Sequence, residues 1–426
     1  MMGNGFPLPP RRFFSFSNPS TMGGPVQALD WSVQESARRG DPVALTRIMV
    51  SIPSVNPELE EGGQGEGAMA EQCSGWLEGW GYAPDRVEVA PGRWNVVARR
   101  AGGGGKGRTL LLNGHLDTVG VGGMTSPPFS GEVKAGRVWG RGACDMKGGV
   151  GLILATAAEL ARAPHPGELV VALTADEEHA SVGMEALVKA GIHADGAVVC
   201  EPTSLAVMPA HKGFLWLEAE FRGRAAHGSR PDLGVDAILH AARFLSALEP
   251  LGARLREAPP HPLLAHASFH AGTIRGGSAP SVYPDRCHLV LERRTLPGED
   301  PSSVLREFTE VLDRLRASSP DVDAALQAGL FRPGTEVPAE SHLVRTLLLA
   351  LESEGLQPRT EGMTAWVDAA YLNESGVPAV CFGPGSIAQA HGAEEWVPLA
   401  ELETGAKVLS RFARSFLAGG EGWGTP

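Results

Sequence analysis

Seven side chains able to bind divalent cations or move protons stand at the ends of short apolar runs: His115, Asp117, Asp145, Glu177, Glu178, Glu201 and His391. Two imidazoles with several carboxylates form the donor set of a pair of divalent ions that hold a water between them. The chemistry this suits is metal-assisted hydrolysis.

Each position has its own logic. In HLD, His115 and Asp117 lie two apart and share one face of an extended segment, where the acid could orient the imidazole. Asp145 sits in GRGACDMKGG, whose glycines let the backbone turn tightly. A carboxylate there can bridge two ions or simply cap the next helix. Glu177 and Glu178 end the buried-type run LVVALTA. Neighbours on an extended backbone point to opposite sides, so one can bind a metal while the other acts as a general base. Glu201 precedes Pro202 and is held extended at a strand end. His391 lies in the Gly/Pro-rich loop GPGSIAQAH, outside any apolar pattern.

The elements that must position these residues alternate. WNVVARR, TLLLNG, ELVVALTA, GAVVC and VPAVCF read as strands; GGVGLILATAAELARA, SVGMEALVKAG, SHLVRTLLLALESEG and LAELETGAKVLSRFARSFL read as helices. This alternation predicts an α/β domain built on a mostly parallel sheet, in which ligand sites gather at the carboxyl ends of the strands. From about His211 the style changes. GFLWLEAEFRG, ASFHAGTI and RCHLVLERRT read as strands. LGVDAILHAARFLSAL reads as a helix with Val235, Ile238, Leu239, Ala242 and Leu245 on one side, and PSSVLREFTEVLDRLRAS as another. The expectation is a small α+β sandwich inserted in the larger domain. The chain then divides into a flexible extension at 1–24, with Met22 as an alternative start, a first catalytic part at 25–211, a lid at 212–324 and a second catalytic part at 325–426.

At 426 residues two domains are the natural prior. The net charge of −12 argues against a nucleic-acid partner. No stretch has the 18 or so uninterrupted apolar residues of a membrane span, so no membrane partner is expected. The five cysteines are scattered and form no CxxC pair, which fits a cytosolic protein. AGGGGKGRT has Arg100 where the first glycine of a phosphate loop belongs and Gly107 in place of its Ser/Thr. HExxH and G-x-S-x-G are both missing, which disfavours a zincin or a nucleophile-elbow serine hydrolase.

NGHLDTV, GRGACDMKGG, ALTADEEHASVG, CEPT, RAAHGSRPDLGVDA and GPGSIAQAH, in this order and spacing, resemble the M20 metallopeptidases. That group contains acetylornithine deacetylase, succinyl-diaminopimelate desuccinylase, aminoacylase and carboxypeptidase G, and the resemblance covers residues 41–417. It implies a di-zinc domain, with cobalt as an alternative ion, interrupted by a lid that mediates homodimerisation. It also implies that Asp145 bridges the metals, that His115 and Glu201 hold one ion, and that Glu178 and His391 hold the other. Glu177 becomes the general base acting on a metal-bridging hydroxide, and Asp117 the support of His115. His227 in AAHGSRP resembles a lid histidine that steadies the oxyanion, often in the partner subunit's site. Arg294 in ERRTLPGE resembles a lid arginine that binds a substrate carboxylate, with Arg293 adjacent. Ser281 in APSVYPD stands where many members have Asn, and Asp368 in TAWVDAAYL where the deacetylases carry an acid near the substrate. The implied activity is removal of an acyl group from an N-acyl amino acid. A carboxypeptidase or dipeptidase on the same site is the alternative, and a non-catalytic scaffold a more distant one.

Overall fold

The computed structural model describes residues 30–419; the extension read at 1–24 lies outside the described residues. The catalytic part is built on a nine-stranded sheet. Its central strands run in the order Glu168–Thr174, Thr109–His115, Gly196–Val199, Ala379–Cys381, all parallel. The hairpin Ala83–Ala90/Arg93–Ala101 adds an antiparallel edge on one side, and Val207–His211 with Thr335–Glu336 adds one on the other.

The central strands read as continuous apolar runs because both faces are covered. In TLLLNGH, Leu110 and Leu112 pack into one core with the helices Pro42–Ser51, Gly148–Ala161, His342–Ser353 and Leu399–Ala418. Leu111 packs into a second core with Val182–Lys189 and Ala369–Glu374. Successive side chains on a strand point to opposite faces, so one apolar run serves two helical layers. The helix Gly148–Ala161 lies so close to the sheet that a Cβ at Gly149 would sit 1.9 Å from the Cys200 carbonyl oxygen. Only glycine permits this approach, which brings the segment carrying Asp145 against the strand end carrying Glu201.

The inserted domain has a four-stranded antiparallel sheet in the order Ser268–Gly276, Arg286–Thr295, Gly213–Arg222, Asp323–Arg332. The helices Ala237–Ala247 and Pro301–Ser318 cover one face and complete a separate core around Phe221, Phe244 and Phe308. Two expectations are corrected here. The lid was to end at residue 324, yet Asp323–Arg332 pairs along Gly213–Arg222, so the chain leaves this domain only after Arg332. The helix near residue 240 is expected to have its apolar side along Val235, Ile238, Leu239, Ala242 and Leu245. It buries Ala237, His240, Ala241 and Phe244 instead, and leaves Leu239 55% exposed.

The chain enters and leaves the small domain along adjacent backbones. A Cβ at Gly213 would meet the Gly334 nitrogen at 2.3 Å. Beside this crossing the buried His211 ring meets Thr335 Oγ1 at 2.7 Å, and Thr335 Oγ1 in turn accepts from Asn373 Nδ2 at 2.8 Å.

Candidate metal centre

The carboxyl ends of the central strands converge. His115 is the last residue of its strand, Glu177 and Glu178 follow Thr174, Glu201 follows Val199, and the loop after Cys381 returns His391 to the same place. His115 Nε2 lies 3.0 Å from Asp145 Oδ1. His391 Nε2 lies 2.9 Å from Glu178 Oε2 and 3.4 Å from Asp145 Oδ2. Asp145 is thus shared between the two imidazoles. His115, Asp145 and Glu178 each offer a ligand atom within 4.8 Å of the others. Glu178 is 6% exposed and His391 51%, so the cluster opens to solvent on the His391 side.

Local structure explains each placement. Asp145 lies in the kinked segment Ala143–Lys147, with extended dihedrals of φ −121° and ψ 100°; its carboxylate caps no helix and turns to the histidines. The kink is held from outside: Glu395 accepts from the backbone N–H groups of Cys144 (3.0 Å) and Asp145 (3.1 Å) and pairs with Arg141 at 2.6 Å. Glu395 follows His391 in the same loop, so it ties the Asp145 segment to that loop.

Asp117 adjoins His115 and also reaches the loop of Glu177 and Glu178. The His115 Nδ1 contact is to the Asp117 main-chain oxygen at 3.0 Å, with the carboxylate at 3.5 Å. An Nδ1–H donating to a carbonyl leaves Nε2 as the ligand nitrogen. The Asp117 carboxylate also accepts from the backbone N–H groups of Glu177 (3.1 Å) and Glu178 (3.3 Å), and from Asn56 Nδ2 at 2.8 Å. It holds the base loop. A buried platform continues below: Asn56 donates to Asp176 (2.9 Å), Arg93 pairs with Asp176 (2.8 Å) and with Glu66 (2.5 Å), and Glu66 accepts from the Asp176 N–H. Sequence reasoning missed Asn56, Glu66, Arg93 and Asp176. Asp176 precedes the Glu pair and carried the only signal, as a third consecutive acid.

The cluster is electrostatically incomplete. Burial pushes Glu201 up to about 8 and Glu178 up to about 7, each reinforced by the Asp145 charge. Burial and the nearby Glu201 hold Glu177 well above the usual carboxylate range. Burial also opposes ionisation of Asp145, but the hydrogen bonds from His115 and His391 outweigh it and keep this carboxyl low. His391 is pushed up to about 10 by Asp145 and Glu178. Glu201 Oε1 is buried without a hydrogen-bond partner among the described residues. Carboxylates crowded in this way call for more positive charge than two imidazoles supply. Divalent cations fit that need and this donor set.

The remaining expected residues divide. Asp368 joins the cluster: it is buried, its charge acts on Glu177 and Glu201, and neither of its oxygens is in hydrogen-bond geometry with a described group. Burial raises it to about 7, against a smaller lowering by the nearby Ser181 hydroxyl. His227 and Ser281 lie together on the exposed surface of the small domain. His227 bridges to Val282, its ring meets Ser229 Oγ at 2.9 Å, and Ser281 accepts from the Gly228 N–H at 2.7 Å. Neither has a contact to the cluster among the described residues. Arg293 and Arg294 point to opposite faces of their strand. Arg293 is buried against Glu299 (2.7 Å) and Glu307 (3.4 Å), whereas Arg294 lies on the open face, paired with Glu292 at 2.8 Å.

Comparison with known proteins agrees with this picture. The family model "Peptidase family M20/M25/M40" matches residues 111–415. An acetylornithine deacetylase from Myxococcus xanthus is 35% identical over 357 residues, covering 80% of this chain and 90% of the relative. One from Proteus mirabilis is 28% identical, covering 88% and 96%. The fold is similar to that of a tripeptidase from Staphylococcus aureus (TM-score 0.74, 20% identity, 89% of this chain and 98% of the other). It is also similar to a dinuclear metal-binding M20 peptidase from Bacillus subtilis (TM-score 0.69, 17% identity, 90% and 99%). With the family model matching well over half of its length, the chain belongs to peptidase family M20/M25/M40.

Proposed function

We propose that this protein is a metal-dependent amide hydrolase that removes the acyl group from an N-acyl amino acid, in the manner of its acetylornithine deacetylase relatives. The observation that carries this reading is the shared Asp145 between two imidazoles, with Glu178 and the orphaned Glu201 beside it and Glu177 adjoining. His115 and Glu201 would hold one divalent ion, zinc or cobalt, Glu178 and His391 the other, and Asp145 both. When bound, the ions polarise the amide carbonyl and make a water acidic enough to serve at neutral pH.

The chain's own residues do the rest. Glu177 accepts the proton of the attacking water and returns it to the leaving amine. Asp117 keeps Glu177 in place through the backbone of its loop, and Asp368 faces the amino-acid part of the substrate. His227, exposed on the small domain, steadies the developing oxyanion in the site of a second copy of the chain. Exposed Ile238 and Leu239 and the edge strand Ser268–Gly276 supply the surface for that homodimer. The five buried, unpaired cysteines favour a reducing, cytosolic setting. Among the described residues no helix is long and apolar enough to cross a membrane.

The test is a panel of N-acetyl, N-succinyl and N-formyl amino acids beside dipeptides, run with zinc- or cobalt-reconstituted protein. N-acyl amino acids are expected to be the faster substrates. Preference for dipeptides would assign the same site to a peptidase, and no turnover of either class with metal bound would overturn the enzyme reading.

A further inference from the structure

The metal cluster is assembled from separate segments, and the central sheet fixes only some of them. His115 pairs with Thr174 in the strand ladder, and Glu201 follows Val199 at the neighbouring strand end. Asp145 and His391 lie outside any strand. Asp145 sits in a kink, and His391 is a half-exposed loop residue with a left-handed φ of 61°. A non-glycine residue keeps that conformation only where its surroundings hold it.

One buried ion pair supplies the hold for both. Arg141 and Glu395 are 2% and 1% exposed and meet at 2.6 Å. Each arm of the pair engages a different segment. Glu395 Oε1 accepts from the N–H groups of Cys144 and Asp145, while Arg141 Nε donates to the Gly120 carbonyl at 2.9 Å, in the loop that follows Asp117. Main-chain bonds run alongside: the Gly140 N–H donates to the Glu395 carbonyl and the Thr125 N–H to the Ala393 carbonyl, both at 3.0 Å. The loop after His115 and Asp117, the Asp145 kink and the His391 loop are thereby joined through one guanidinium and one carboxylate. A buried ion pair adds little net stability over well-packed apolar side chains, whereas its charge-assisted hydrogen bonds give direction to whatever they hold.

We propose that Arg141 and Glu395 are positioning residues of the metal centre: the pair sets Asp145 and His391 relative to each other, and through them the affinity for the ion that His391 and Glu178 hold. This rests on the metal-dependent reading above. Neither residue is one of the ligands; both act through Asp145 and His391.

The test is calorimetric titration of metal-free protein with zinc or cobalt, together with the Tm of the metal-free protein and the visible absorption of the cobalt protein. Wild type is expected to take up two equivalents. Glu395→Gln turns one oxygen into an NH2 group that cannot accept, so either Arg141 or the two N–H groups lose a partner. The affinity for one equivalent should then fall about 10- to 100-fold, the range for groups that orient metal ligands, with a changed cobalt spectrum and the other equivalent retained. Arg141→Lys keeps the charge but loses the fork that reaches Gly120, so a smaller loss at the same equivalent is expected; it also carries the test if Glu395→Gln does not fold. In His391→Ala protein the remaining equivalent should bind alike with and without Glu395→Gln, because both changes act on one ion. The proposal fails if Glu395→Gln lowers only the Tm of the metal-free protein, if it weakens both equivalents alike, if it weakens the equivalent left in His391→Ala protein, or if wild type binds fewer than two equivalents. Metal binding is read apart from turnover. Affinity that depends on Arg141 and Glu395 in a protein that hydrolyses no N-acyl amino acid would sink the deacylase reading and leave this one standing.

Discussion

Glu177 and Glu178 are neighbours with opposite proposed duties, and their surroundings separate them. Glu178 is engaged by His391, while the Glu177 side chain has no hydrogen-bond partner among the described residues and borders the cluster. Glu177→Gln is therefore expected to lower kcat by roughly 10²- to 10⁴-fold, the usual range for a general base, with metal content unchanged by elemental analysis. Asp145→Ala should instead lose metal, since both imidazoles lean on that carboxylate. Asp117→Asn tests the part its carboxylate plays in the loop. One of its oxygens becomes an NH2 group that cannot accept, so either the Glu177 or the Glu178 N–H loses its acceptor, and kcat should fall while His115 keeps its main-chain contact. Normal kcat in this variant would leave Asp117 only its contact with the His115 ring. His115, Glu177, Glu178 and Glu201 were legible in the sequence because each stands where an apolar run ends, and Asp145 and His391 because each sits in a Gly-rich segment. Asn56, Glu66 and Arg93 were not, because a lone polar residue on a half-buried strand or helix end looks like ordinary surface until its partner is seen.

At the scale of elements, the base loop stands on the Arg93 platform, and this is where the fold is most exposed to a single change. Arg93→Met would leave Glu66 and Asp176 buried without their cation, which typically costs about 3–5 kcal/mol. Denaturant unfolding should show this loss, and kcat should fall with it because Asp176 leads into Glu177. The domain crossing makes a pH prediction. Burial pushes the His211 imidazole down to about 4, whereas an unfolded chain titrates near ~6.5. The unfolded state therefore binds the proton more readily. The stability His211 permits is full above ~pH 6.5 and is lost as pH falls toward about 4, by roughly 3 kcal/mol. Comparing wild type with His211→Gln across that window isolates the effect; parallel stability curves would exclude it. The central strands were readable because two-sided burial leaves unbroken apolar runs. The strand Asp323–Arg332 was missed because its alanines and glycine carry little strand preference, and most of it is exposed at the sheet edge.

At the scale of the molecule, the chain holds two domains, one inserted into the other, and the metal cluster belongs to only one of them. His227 has no contact with the metal cluster among the described residues, so its proposed role requires a second copy. Mixing Glu177→Gln with His227→Ala protein should restore activity that neither variant shows alone, because a mixed dimer would pair an intact base with an intact histidine from its partner. A monomer by sedimentation at working concentration, or no recovery on mixing, would remove His227 from the reaction. By itself the sequence determined the family, the parallel core and the existence of an insertion, and it singled out the acids and histidines that converge at the strand ends. Such features are written in residue types, spacing and two-sided apolar runs, all of which are local. Only the tertiary structure decided that Asp145 lies between both histidines, that the Asp117 carboxylate takes the backbone N–H groups of Glu177 and Glu178, and that Arg293 is buried between two glutamates while Arg294 is on the open face. Those are questions of which side chains meet, and partners far apart in the chain leave no mark on local pattern.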